Sequence, residues 1–179
     1  MTRDPKALTP EMQIAHALVV SLCKAAGFPL TVYCTLRTCE EQAELYRATR
    51  TRAEINSKMQ SLTARGFDFL AAVIEDVGPQ SGTLGQHKTK AGPGESFHQW
   101  GEAFDAAPRD GGNVIWDTAH PGYASFGHAC KLAQLTWGGS WGWDFPHAQL
   151  RPAKNPLTGQ ADPDIVRAHL LQIGSLNAS

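Results

Sequence analysis

The stretch GESFHQWGEAFDAAP, residues 94–108, sets His98, Glu102 and Asp105 close together, with Gly101 between them. A core strand has no use for these polar groups together, whereas a metal site does. Zinc accepts imidazole nitrogen and carboxylate oxygen, and a catalytic zinc typically keeps three protein ligands and one water. On a bent strand or strand–turn, Gly101 lets the backbone fold so that His98 and Asp105 reach one point. A third ligand is then needed. His16, His128 and His169 fall in helical patterns, His87 in a loop, and His120 just before Pro121. His147 differs from all of these. It stands in WDFPHAQL, three residues after Asp144, at the start of a strand that follows a Gly/Trp-rich turn.

The elements that must position these residues are legible from pattern. LTPEMQIAHALVVSLCKAAGF opens as a helix, with Thr9 as N-cap, Pro10 in the first turn, apolar positions 15, 18, 19 and 22, and Gly27 as the stop. FPLTVYCTL, β-branched and aromatic, reads as a strand. TCEEQAELYRATR restarts a helix through a Thr38/Glu41 capping box, which puts Arg37 at a strand-to-helix junction. Residues 50–78 read as helical, broken at Gly66. Ile55, Met59 and Leu62 line one face, and Phe69, Leu70, Val73, Ile74 and Val77 another. GPQSGTLGQHKTKAGPGES is a long loop. GEAFDAAP reads as a short strand, GYASFGHACKLAQLT as a helix, WGGSWGWDFPHAQL as a turn and a strand, and DPDIVRAHLLQIG as a short helix. The pattern is α+β, a small, mostly antiparallel sheet with flanking helices. One catalytic domain over residues 1–150 is expected, with a helical insertion at about 50–80. The tail, 151–179, is expected to pack on the same domain through its helix.

Composition narrows the function classes. With 179 residues, 42% apolar and 18% charged, the chain is an ordinary globular protein and not a disordered one. The net charge of −1 and the lack of a basic tract give no electrostatic case for nucleic acid. No apolar run is long enough to span a membrane. MTRDPKALTPEMQ has no secretory signal pattern, so synthesis in the cytoplasm is expected. Cys23, Cys34, Cys39 and Cys130 form no C-x-x-C pair. A Cys34–Cys39 disulfide is conceivable, but cytoplasmic synthesis argues for free thiols.

SFHQWGEAFD matches S-x-H-x-x-G-x-A-x-D, and DFPHAQ matches a D-x-P-H-x-Q ending. TLRTCEEQAELY resembles Y-R-[ST]-x-x-x-Q-x-x-L-Y, with Leu36 where an aromatic is common, and LTWGGSW resembles G-L-x-W-G-G-x-W. This ordered set, over most of residues 8–150, resembles the zinc peptidases that cleave peptidoglycan stem peptides. The group includes D-Ala-D-Ala carboxypeptidases and phage L-alanyl-D-glutamate endopeptidases, and its fold is shared with Hedgehog. The resemblance implies zinc held by His98, Asp105 and His147, with Asp144 as general base. It implies Arg37 as the group that binds the scissile carbonyl or a substrate carboxylate, with Gln42 assisting and Ser96 hydrogen-bonding near the ligands. Trp143 falls among the residues facing substrate. Trp100, Trp137, Trp141 and Trp143 fit core or cleft wall, with sugar stacking as the alternative. Two departures bear on substrate fit: residues 50–80 are longer than usual in phage members, and Ala148 replaces an aromatic.

The chemistry is coherent. Zinc lowers the pKa of bound water from about 15.7 to about 7. Asp144 can take the proton and pass it to the leaving amine, and Arg37 adds positive charge for the oxyanion. Each residue alone has a plainer role: Asp105 as an arginine's partner, Asp144 as a turn cap, Arg37 as a partner of Glu40 or Glu41. The sequence therefore points to a monomeric zinc peptidase acting on the stem peptide. The more specific expectation is an L-alanyl-D-glutamate endopeptidase, a phage or prophage endolysin released through a holin-type pore. The alternatives are a D-Ala-D-Ala carboxypeptidase and a non-catalytic zinc module. The segment 50–80 is expected at the rim of the cleft, anchored by Phe67 and Phe69, either selecting short stem peptides or only stabilising the fold.

Overall fold

The computed structural model describes residues 1–48, 50–78, 89–158 and 161–177. Most of the expected loop before Gly94, with His87, lies outside these residues. The chain forms two compact units: residues 1–36 with 101–152, and residues 37–100 with 153–179. Among the described residues there are six α-helices and one five-stranded antiparallel sheet, an α+β fold. No described helix is long and apolar enough to cross a membrane.

The first unit holds the sheet. Helix α1 (Pro10–Ala25) begins where Thr9 Oγ1 accepts the Met12 N–H, and the chain leaves it through Gly27 at φ +86°. Strands β1 (Leu30–Cys34), β2 (Ala103–Asp110), β3 (Asn113–Val114), β4 (Thr136–Trp137) and β5 (His147–Gln149) follow. Their spatial order is β1-β2-β5-β4, with β3 on the far end of β2. Helix α5 (Pro121–Leu132), capped by the His120 side chain, packs with α1. Met12, Val19, Phe104, Tyr123, Phe126 and Cys130 make the core of this unit and are almost wholly buried. Side chains alternate along a strand. Phe104 and Ala106 therefore enter that core while Asp105 points to the other face.

The second unit is helical. Helices α2 (Cys39–Arg47) and α3 (Arg52–Thr63) each open with a full capping box, Thr38/Glu41 and Thr51/Glu54. Gly66, at φ +80°, turns the chain from α3 into α4 (Asp68–Asp76). Helix α6 (Pro163–Gln172) is capped by Asp162. Helices α3 and α4 do not close a core alone. Their Ile55, Leu62, Phe67, Leu70 and Ile74 share one with Cys39 and Ala43 of α2 and with Leu157, Val166 and Leu170. Phe67 is buried in this core and Phe69 packs against it.

Of the two forms expected around Gly101, a bent strand or a strand–turn, the second is found: His98 sits on a 3-10 turn, Phe97–Trp100. Strand β2 begins only at Ala103, after Gly101 at φ +65°. A residue with a Cβ at position 101 would meet the Ala7 carbonyl oxygen at 3.3 Å in addition to the strain of positive φ.

Candidate metal centre and active site

In the sheet unit, strand register positions the polar groups. Asp105 of β2 stands opposite His147 of β5 on one side and opposite Cys34 of β1 on the other. Residues opposed across antiparallel strands share a face, so one row carries a thiol, a carboxylate and an imidazole. His147 Nδ1 lies 3.0 Å from Asp105 Oδ1. Two ligands at about 2.0–2.1 Å from a tetrahedral ion stand about 3.3 Å apart, so this spacing and these donor atoms suit zinc. Cys34 Sγ lies within 4.8 Å of an Asp105 carboxylate oxygen, a further atom of a type zinc accepts.

The turn before β5 sets Asp144. The Asp144 carbonyl accepts the His147 N–H at 3.1 Å, and Pro146 O accepts the Ala106 N–H at 2.9 Å. Trp137 Nε1 donates to Phe145 O at 2.7 Å. Gly138 lies under the turn: a Cβ there would come within 2.3 Å of Asp144 O and 3.1 Å of the His147 Cβ. Asp144 is half-buried. The Trp141 ring lies 5.7 Å from the His147 ring and 5.8 Å from that of Trp143, which is 68% exposed. Trp143 is thus an open aromatic surface beside Asp144.

Two further residues belong to this face: Tyr33, which the sequence did not single out, and Gln149, the last position of the D-x-P-H-x-Q ending with no role given to it there. Tyr33, at the irregular pairing between Val32 and Cys34, has its phenol held protonated far above the tyrosine range. Burial is the main cause, followed by the negative charges of Asp105, Tyr123 and Asp144. Gln149 places Oε1 2.9 Å from His147 Nε2. A position two beyond a candidate ligand on a strand faces the same way, so spacing alone could have marked it. Glu102, close to the ligands in sequence, instead pairs with Arg151 at 3.0 Å.

In the helical unit, Arg37 and His98 are joined through backbone: the Arg37 N–H donates to His98 O at 3.3 Å. Arg37 Nη1 donates to Gln42 Oε1 at 2.9 Å, and Gln99 Nε2 donates to the same oxygen at 3.2 Å. Gln42 Nε2 donates to Ala91 O at 2.7 Å and to Thr89 Oγ1 at 3.3 Å. With no exposed surface, Gln42 aims Arg37 and ties down the segment that leads to His98. Ser96 opens the 3-10 turn, its Oγ accepting the His98 N–H at 3.5 Å. Trp100 closes the turn, donating to Gly94 O at 2.9 Å and stacking on His169 at 4.8 Å. His98 itself is 2% exposed. Glu95, also buried, accepts from Lys58 Nζ and from the Gly92 N–H, each at 2.7 Å. Helix α3 thereby braces the approach to His98.

No disulfide joins the four cysteines, and all of them are buried. Burial raises the Cys23 thiol to about 11 and the Cys39 thiol to about 12, which keeps both unreactive at neutral pH.

No curated protein matches the chain. The model of the VanY family, described as D-alanyl-D-alanine carboxypeptidase, matches residues 5–148, a span that includes Arg37, Gln42, Ser96, His98, Asp105, Trp143, Asp144 and His147. The chain therefore belongs to the D-alanyl-D-alanine carboxypeptidase family and is a peptidoglycan-related peptidase.

Proposed function

We propose that the protein hydrolyses a peptide bond in the peptidoglycan stem peptide with the help of zinc, held by His98, Asp105 and His147. The observation that carries this reading is the Asp105–His147 pair, 3.0 Å apart on adjacent strands with Asp144 three residues before His147. Zinc, when bound, supplies the positive charge that brings a water's pKa down to about 7. Asp144 takes a proton from the attacking water and returns it to the leaving amine. Arg37, steadied by Gln42, binds the scissile carbonyl or a substrate carboxylate and offsets negative charge as it develops. Tyr33 stays protonated, so its hydroxyl keeps a proton to donate. Trp143 offers its exposed ring to the substrate. A structural zinc module needs neither Asp144 nor Arg37, which speaks against a non-catalytic role.

The bond is that between L-alanine and D-glutamate, and the protein acts as a phage or prophage endolysin that reaches the wall through a holin-type pore. The D-x-P-H ending at Asp144–His147 supports this choice. A second reading, D-Ala-D-Ala carboxypeptidase, is favoured by the description of the matching family. Mass spectrometry of digested peptidoglycan separates them. The endopeptidase leaves stem peptides with a new N-terminal D-glutamate. Loss of only the terminal D-alanine would establish the carboxypeptidase, and no change in the stem peptide with folded, metal-replete protein would overturn both.

A further inference from the structure

Gln149 lies one residue beyond the family match and is 2% exposed. Its side-chain Nε2 donates to the Arg151 carbonyl. Its Oε1 therefore faces His147 Nε2, at 2.9 Å. An amide flip would turn Oε1 onto the Arg151 carbonyl and set two acceptors against each other. With the flip blocked, Oε1 can only accept, so Nε2 must carry a proton. Arg151 is fixed in turn: its guanidinium meets both oxygens of Glu102, at 3.0 and 3.2 Å, and Leu150 N donates to Glu102 O at 3.0 Å. On the other side of the ring, Nδ1 faces the Asp105 carboxylate at 3.0 Å.

We propose that Gln149 is a positioning residue that holds a proton of His147 on Nε2, so that Nδ1 is the nitrogen left to share a cation, a proton or a metal ion, with the Asp105 carboxylate. The Glu102–Arg151 pair anchors the glutamine by fixing the carbonyl that orients it. A ligating histidine is generally set in ring orientation and tautomer by a hydrogen bond from its other nitrogen, and loss of that partner typically costs 10- to 100-fold in metal affinity. Glu102 thus serves the site through Arg151 and Gln149, without touching the ion. The consequence for metal binding rests on the zinc reading above, while the proton's place on Nε2 does not.

The test is ¹⁵N NMR of the histidine ring nitrogens, on metal-free and zinc-loaded protein, with the His147 signals assigned by difference against His147→Gln. The expected result is a proton on Nε2 in both states and Nδ1 as the metal-bound nitrogen. Gln149→Leu removes the acceptor. Its Nε2 proton should exchange rapidly with water, and its zinc affinity should fall about 10- to 100-fold. Gln149→Glu keeps an oxygen for Nε2–H and should retain the slow proton, losing less affinity than Gln149→Leu. A neutral ring protonated on Nδ1 alone in the wild type overturns the proposal. So does a folded Gln149→Leu with unchanged proton exchange and zinc affinity. A wild type that binds no zinc but shows the Nε2 proton overturns the zinc reading and leaves the tautomer assignment standing.

Discussion

In the proposed mechanism, Asp144 is the residue on which turnover depends most while metal binding does not. Its backbone carbonyl is engaged by the His147 N–H, so the side chain is placed by the turn and not by ligation. Asp144→Asn keeps the shape and removes the base. It should retain zinc and fold, and lose roughly 100- to 10,000-fold in kcat on purified peptidoglycan. Near-normal turnover in a folded Asp144→Asn would remove Asp144 from the mechanism. Gly138 tests the same turn from below. A methyl group there meets backbone, which cannot swing aside as a side-chain tip can. Gly138→Ala should destabilise by roughly 1–3 kcal/mol in thermal unfolding. It should also weaken zinc binding, because relief of the clash moves Asp144 and His147 together. At this scale the sequence was informative where chemistry repeats as a motif, as for Asp105 and His147. It was silent on Gln99 and Tyr33, whose parts depend on contacts that no local spacing encodes.

Elements were legible when their causes were local. Thr9, Thr38 and the break at Gly66 act through neighbours within one turn of chain, and each is found where the pattern puts it. Strands β3 and β4, of two residues each, have no such signal and exist through their pairing with β2 and β5. The 3-10 turn at His98 is tied locally by Ser96, Gln99 and Trp100, and from outside through Gln99 to Gln42. Helix α3 takes part in that support through Lys58 and the buried Glu95 carboxylate. Lys58→Met should cost roughly 2 kcal/mol, less than loss of a fully buried pair, because Arg65 remains 3.8 Å from the carboxylate. A urea midpoint lowered at constant m-value is the expected reading. An unchanged midpoint would show that this ion pair does not brace the segment.

For the whole molecule, long-range association decides what the sequence could not show. The tail from residue 153 builds one core with residues 37–100, a partnership no periodicity predicts. The sheet unit has its own core, and within it His16 is buried edge-on to Phe104 at 4.9 Å. Burial lowers the His16 pKa by disfavouring its charged form. A group with a folded pKa below its unfolded value gives stability that is present above the unfolded pKa and lost as pH falls. The protein should therefore lose stability as pH drops below about 6.5, the ordinary histidine value. His16→Leu should flatten that limb of the Tm–pH curve, and an unchanged slope would contradict the assignment. Zinc content tests the central claim most directly. Elemental analysis of the purified, active protein should find one zinc per chain, with the metal largely lost from His98→Ala, Asp105→Ala and His147→Ala. Active protein free of metal, or full zinc occupancy in His98→Ala, would contradict the account.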